Sequence, residues 1–88
     1  MLPELKRAGA LFVDVRSARE FASGNAPGTV NIPLTELSRR LSEIPASAPV
    51  VICCASGIRS GMAKLLLKKN GYKNVHNIGT WGKFLDKS

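Results

Sequence analysis

The chain is 88 residues long and 44% hydrophobic, with 13 Lys and Arg against 6 Asp and Glu for a formal charge of +7. That length suits one small domain with one modest core, read as residues 1–88, and no apolar run reaches the length of a membrane span or of a signal peptide's apolar stretch. The two cysteines are adjacent and there is one histidine, which excludes a disulfide scaffold and a zinc set.

The charge is scattered over Lys6-Arg7, Arg39-Arg40, Lys68-Lys69, Lys73, Lys83 and Lys87, without interleaved aromatics or a nucleic-acid motif. It reads as a solvated basic surface that also attracts small anions, and neither nucleic acid nor membrane is expected as a partner. As given, the chain reads as cytoplasmic and monomeric. A removed signal peptide would make it periplasmic instead.

In chain order, Leu2 to Ala8 is a helical stub closed by Gly9, and Ala10 to Val15 a buried strand. Ser17-Ala18-Arg19-Glu20 forms a capping box that opens a short helix ending at Gly24. Ala26-Pro27-Gly28 turns into a short strand, Thr29 to Ile32, halted by Pro33. Leu34, Leu37, Leu41 and Ile44 recur at helical spacing, with Thr35 as cap and Pro45 as stop. Val50 to Cys53 is the most continuous apolar strand, hence central. Ser60 to Lys69 is a helix with Met62, Ala63, Leu66 and Leu67 inward and Lys64, Lys68 and Lys69 outward, stopped by Asn70-Gly71. Asn74 to Ile78 is the last strand, and Trp81 to Leu85 folds back on the core. This alternation predicts an α/β domain with a parallel sheet.

Cys54 begins the loop at the carboxyl end of the central strand, small residues follow, and Arg59 stands where the next helix begins. Inward-facing amides, a helix N-terminus and a guanidinium all favour a thiolate and would also hold an anion. Gly57 lets the backbone bend so that successive N–H groups converge, Ala55 and Ser56 crowd nothing, and the Ser56 and Ser60 hydroxyls can add hydrogen bonds. Such a loop is built for a cysteine nucleophile acting on anions. Cys53, one residue earlier, faces the other side of the sheet and reads as core. Asp14 is expected to accept local backbone bonds and Arg16 to pair with Glu20. His76 reads as a surface or packing residue, and Trp81 as a lid on the core.

Cys54-Ala55-Ser56-Gly57-Ile58-Arg59-Ser60 resembles the Cys-x-x-Gly-x-Arg-Ser active-site loop of the rhodanese sulfurtransferases. Val13-Asp14-Val15-Arg16 with Glu20-Phe21, then Gly24 to Pro33, then Gly71-Tyr72-Lys73-Asn74-Val75 resemble further blocks of that family in the same order. Within the family, the short length and Ser60-Gly61-Met62-Ala63-Lys64 are similar to small single-domain members of the phage-shock-protein E type. Asn25 stands where the family often has histidine, and Gly79-Thr80-Trp81-Gly82 departs from the usual Gly-Gly-Trp ending at the pocket rim.

The resemblance implies a three-layer α/β/α fold, here with about four parallel strands because the customary first one is missing. It implies a thiosulfate sulfurtransferase with Cys54 as the catalytic residue, carrying a persulfide cradled by Ala55, Ser56, Gly57, Ile58, Arg59 and Ser60. The donor would be a small anion such as thiosulfate, and the acceptor cyanide or a thiol. No metal or organic cofactor is required. Two rivals stand beside this reading. One is a cysteine-dependent phosphatase or arsenate reductase, disfavoured because its loop is Cys-x5-Arg and this one is Cys-x4-Arg. The other is a non-catalytic rhodanese-like binding module, which would typically lack the cysteine.

Overall fold

Four parallel strands form one sheet, in the spatial order Val30–Asn31, Leu11–Asp14, Val50–Cys54, Val75–Thr80, in a computed structural model that describes residues 2–86. The strands are β1 (Leu11–Asp14), β2 (Val30–Asn31), β3 (Val50–Cys54) and β4 (Val75–Thr80), and the helices are α1 (Leu2–Arg7), α2 (Ala18–Ser23), α3 (Leu34–Leu37) and α4 (Ile58–Lys69). Two 3-10 segments, Leu41–Glu43 and Trp81–Asp86, complete the chain order.

Strand alternation sorts the core into two layers. Val13, Val15, Val50, Ile52 and Cys54 pack with Leu37, Ile44, Ala63, Leu67 and Tyr72 on one face. Phe12, Val51 and Cys53 pack with Ala26 and Phe84 on the other, where Leu2, Leu5 and Trp81 cover them. The result is the expected α/β/α arrangement with four strands. All five residues of β3 are buried, as befits a strand paired on both edges and covered on both faces. The tail folds back as expected, Phe84 meeting Phe12 with ring centroids 5.2 Å apart.

The segment Leu34 to Ile44 differs from expectation: it is not one helix but α3 followed by a 3-10 turn. Pro33 is the N-cap and gives no side-chain bond, so Thr35 is not the cap. The amides of Arg39 and Arg40 bond three residues back, to Glu36 and Leu37, which winds the chain too tightly to continue as α. Pro45 could not have supplied an N–H to the Leu41 carbonyl; the Tyr72 hydroxyl donates to it instead at 3.0 Å, sharing its proton with the Ile44 carbonyl.

Helix α4 starts at Ile58, two residues before Ser60, because Gly57 turns the chain with φ +100° as its N-cap. Its inward residues are Ser60, Ala63 and Leu67; Met62, expected inside, is exposed, and Leu66 only half-buried. The buried face is narrower than the apolar content of the helix. Strand β4 carries an irregularity: Ile52 pairs with Asn77 but Cys53 pairs with Gly79, so Ile78 is an extra residue. A bulge of this kind re-aims side chains at a strand end. Here it brings Asn77 and Gly79 against the loop that follows β3.

Candidate active site

Cys54 is the last residue of β3, at the carboxyl edge where open α/β sheets bind ligands. The Gly57 N–H points at its Sγ from 2.8 Å, and the Ser60 hydroxyl lies 3.4 Å away. Burial pushes the thiol's pKa up, but the Ser60 hydroxyl and the backbone N–H groups of Ser60, Gly57 and Ser56 outweigh it and hold the group below the usual thiol value. A Cβ at Gly57 would sit 3.3 Å from the Gly79 Cα and on a left-handed backbone, so glycine is required twice over.

A residue that sequence reasoning missed stands behind Ser60. Asn77 Oδ1 lies 2.6 Å from the Ser60 hydroxyl and accepts the Gly79 N–H at 2.9 Å, while its Nδ2 donates to the Gly57 carbonyl. Ser60 has one proton and several acceptors around it: Asn77 Oδ1, the Gly57 carbonyl at 3.1 Å, and Cys54 Sγ. While Cys54 is a thiol, its S–H can point at the Ser60 oxygen and the hydroxyl can point at Asn77. When Cys54 ionises, the hydroxyl can swing to the sulfur, leaving Asn77 Oδ1 satisfied by Gly79. The pattern Asn-x-Gly at Asn77 to Gly79 was the available signal, but only the bulge gives it a direction.

Arg59 sits at the rim rather than against the sulfur. Its Nη1 and Nη2 bond the two carboxylate oxygens of Glu20 at 2.6 and 2.9 Å. Glu20 also closes the expected capping box with Ser17, and the Arg59 hydrogen bonds bring its pKa down to about 2. Arg16 corrects the expectation made for it. Its carboxylate partner is Asp14, through Nε and Nη2, while Glu20 offers only its backbone carbonyl. Asp14 also accepts the Arg16 N–H, as expected, and the guanidinium caps the Gly24 carbonyl and lies 4.7 Å over the Trp81 ring. The pair is buried and fully bonded, a structural bolt at the end of β1.

Among the other candidates, Ser56 and Ser60 converge on the sulfur with Gly57, whereas Ala55 is exposed and the Ile58 side chain is turned to solvent. Cys53 lies in the opposite core layer from Cys54, and burial with the Asp14 charge pushes its thiol up. His76 bonds Asn74. Asn25 caps the end of α2 through the Phe21 carbonyl. Among the described residues, no three His, Cys, Asp or Glu side chains are grouped as metal ligands. A cleft of about 230 Å³ adjoins the loop at Arg59, walled by Val15, Ala18, Pro33 and Leu34 with Ser17, Thr35 and Glu36.

The rhodanese-like domain profile matches residues 2–85. The uncharacterized protein YqhL of Bacillus subtilis is 41% identical over 75 residues, covering 82% of this chain and 60% of that protein. The thiosulfate sulfurtransferase PspE of Escherichia coli is 34% identical over 70 residues, covering 77% of this chain and 67% of that one. Human single-domain sulfurtransferase TSTD1 superposes with a TM-score of 0.74 and 31% identity, covering 99% of this chain and 91% of that one. The chain thus spans 60% of the length of its Bacillus relative.

Proposed function

We propose a function from the premise that this chain belongs to the rhodanese-like domain family: it is a sulfurtransferase that carries sulfane sulfur on Cys54. The observation that supports this most directly is the cradle around one sulfur, the Gly57 amide at 2.8 Å and the Ser60 hydroxyl at 3.4 Å. In the first step the Cys54 thiolate attacks the outer sulfur of a donor such as thiosulfate. A new S–S bond forms, the donor's S–S bond breaks, and sulfite leaves with the electron pair. The Cys54 persulfide then holds its negative outer sulfur among the loop amides. In the second step cyanide or a thiolate attacks that outer sulfur, and Cys54 leaves as thiolate. The division is covalent catalysis with ping-pong kinetics. Ser56, Gly57 and Ser60 stabilise the anion at each stage; Ala55 and Ile58 contribute backbone to the turn. Arg59 lines the cleft beside the loop, where its charge attracts a small anionic donor, and its pairing with Glu20 fixes where its remaining N–H groups point.

Intact mass after incubation with thiosulfate tests the reading. The expected result is one added sulfur atom, removed by cyanide as thiocyanate. Cys54→Ser should show neither the adduct nor turnover, while Cys53→Ala keeps both at a stability cost of about 1 kcal/mol. Hydrolysis of a phosphate ester by Cys54 without sulfur loading would replace this reading with the phosphatase one.

A further inference from the structure

Helix α4 is apolar on two opposite faces. Ala63 and Leu67 are buried against the sheet, while Ile58, Met62 and Leu65 are 72%, 56% and 72% exposed. These three stand at i, i+4 and i+7 and stack into one stripe directly opposite the buried face. Single exposed apolar side chains are ordinary; a continuous stripe marks a contact surface. Two features identify its occupant. The stripe begins at Ile58, between Gly57, whose N–H meets Cys54 Sγ, and Arg59 at the cleft, so whatever lies on it lies at the mouth of the site. Lys69 continues the stripe one turn beyond Leu65 and Lys68 borders it, α4 holds no Asp or Glu, and the chain carries +7. That charge repels a second copy and selects an acidic surface, and the lysine stems extend the apolar contact.

We propose that the outer face of α4 docks an acidic protein that bears a thiol and takes the sulfur from Cys54. The proposal rests on the sulfurtransferase reading and names the class of its acceptor. Cys54 itself is fully buried, so the partner's thiol enters on a slender extended segment while its body sits on the stripe. The partner thiolate forms a bond to the outer persulfide sulfur, the Sγ–S bond breaks, and Cys54 departs as thiolate. The thiol's proton goes to solvent. One sulfur atom moves as sulfane and no external oxidant or reductant is needed.

The test uses two helical peptides with the same leucine stripe and one cysteine in a flexible tail, flanked by glutamates in one and lysines in the other. With the cysteine changed to serine, the glutamate peptide should bind the protein about tenfold tighter by fluorescence anisotropy. The exposed double variant Met62→Gln/Leu65→Gln, which keeps good helix formers, should lose about tenfold, and Lys68→Glu/Lys69→Glu should reverse the peptide preference. With Cys54 loaded from thiosulfate, sulfur transfer to the glutamate peptide should show the same order, while transfer to cyanide stays unchanged in Met62→Gln/Leu65→Gln. Equal binding of the two peptides, or binding indifferent to the double variant, overturns the proposal. So does stripe-dependent binding to phosphatidylglycerol vesicles without a peptide preference, which would assign the face to a membrane, and so does dimerisation that the double variant abolishes. If thiosulfate fails to load Cys54 while the peptide preference holds, the sulfur step falls and the docking surface stands.

Discussion

Arg59 and Glu20, thirty-nine positions apart, meet in a two-pronged ion pair at 2.6 and 2.9 Å. The pair ties α4, which follows Cys54 and its loop, to α2, which follows β1. Both side chains are more than one third exposed, so its worth to overall stability is small. Its consequence is positional: the guanidinium's charge is balanced by a carboxylate before it reaches the sulfur.

That balance predicts an order among variants. The bonds that favour the Cys54 thiolate come from Ser60 and the amides, so Ser60→Ala should raise the thiol's titration midpoint more than Arg59→Ala does. Glu20→Gln should lower the midpoint, because it leaves the guanidinium uncompensated near the sulfur. The rate of alkylation by iodoacetamide against pH measures all three. A larger effect for Arg59→Ala than for Ser60→Ala would overturn the account of the cradle.

Glu20 itself should ionise unusually early. Its pKa lies at about 2 against an ordinary 4.5, chiefly through the Arg59 hydrogen bonds. A carboxyl depressed by folding contributes stability that is complete above 4.5 and fades as pH falls toward about 2. NMR titration of the Glu20 carboxyl carbon should therefore show a charged group at pH 4 in the parent and a higher midpoint in Arg59→Ala, still held below the ordinary value by the Ser17 bonds.

Cys54 follows the same sign. With its pKa held below the thiol value, its contribution to stability is complete above the unfolded value and is lost as pH falls through the folded one. Sulfur loading from thiosulfate should rise with pH and level off earlier than an ordinary thiol would. A loading rate still climbing where free cysteine itself ionises would contradict the depressed midpoint.

Asn77 should matter to the thiol without touching it. Asn77→Ala removes the acceptor that Ser60 and the Gly79 N–H share, so turnover should fall and the fold lose about 1 kcal/mol. Asn77→Asp keeps the acceptor and adds a negative charge behind Ser60, which should raise the Cys54 midpoint. Comparing the two by alkylation separates positioning from charge.

Gly57→Ala should be the costliest single methyl in the loop. The residue has φ +100° and would bring a Cβ to 3.3 Å from Gly79, a penalty of about 1–3 kcal/mol for left-handed backbone and contact together. Chemical denaturation should register that loss, and the thiol midpoint should rise as the Gly57 amide moves off Sγ. An unchanged midpoint would mean that this amide does not support the thiolate.

What the sequence determines on its own is local. Strict alternation along Val50 to Cys54 decides which cysteine faces the helix layer and which the opposite core. Ser17 and Glu20 cap a helix within one turn, and Gly57 marks the bend from which the amides converge. These relations span few residues, so backbone geometry alone enforces them. What only the tertiary structure decided depends on pairing between distant segments. The register shift at Ile52/Cys53 in the β3–β4 pairing turns Asn77 toward Ser60. The spacing of Leu34, Leu37, Leu41 and Ile44 suits a continuous helix, yet the Tyr72 hydroxyl and Pro45 settle it as two short turns. Arg16 finds Asp14 rather than Glu20 because burial at the end of β1 leaves that carboxylate needing a cation, and so frees the Glu20 side chain for Arg59. The same helical period that sends Ala63 and Leu67 inward turns Met62 and Leu65 to solvent. A single sheet face can absorb only one arc of a helix, and nothing in the spacing says which arc it will be.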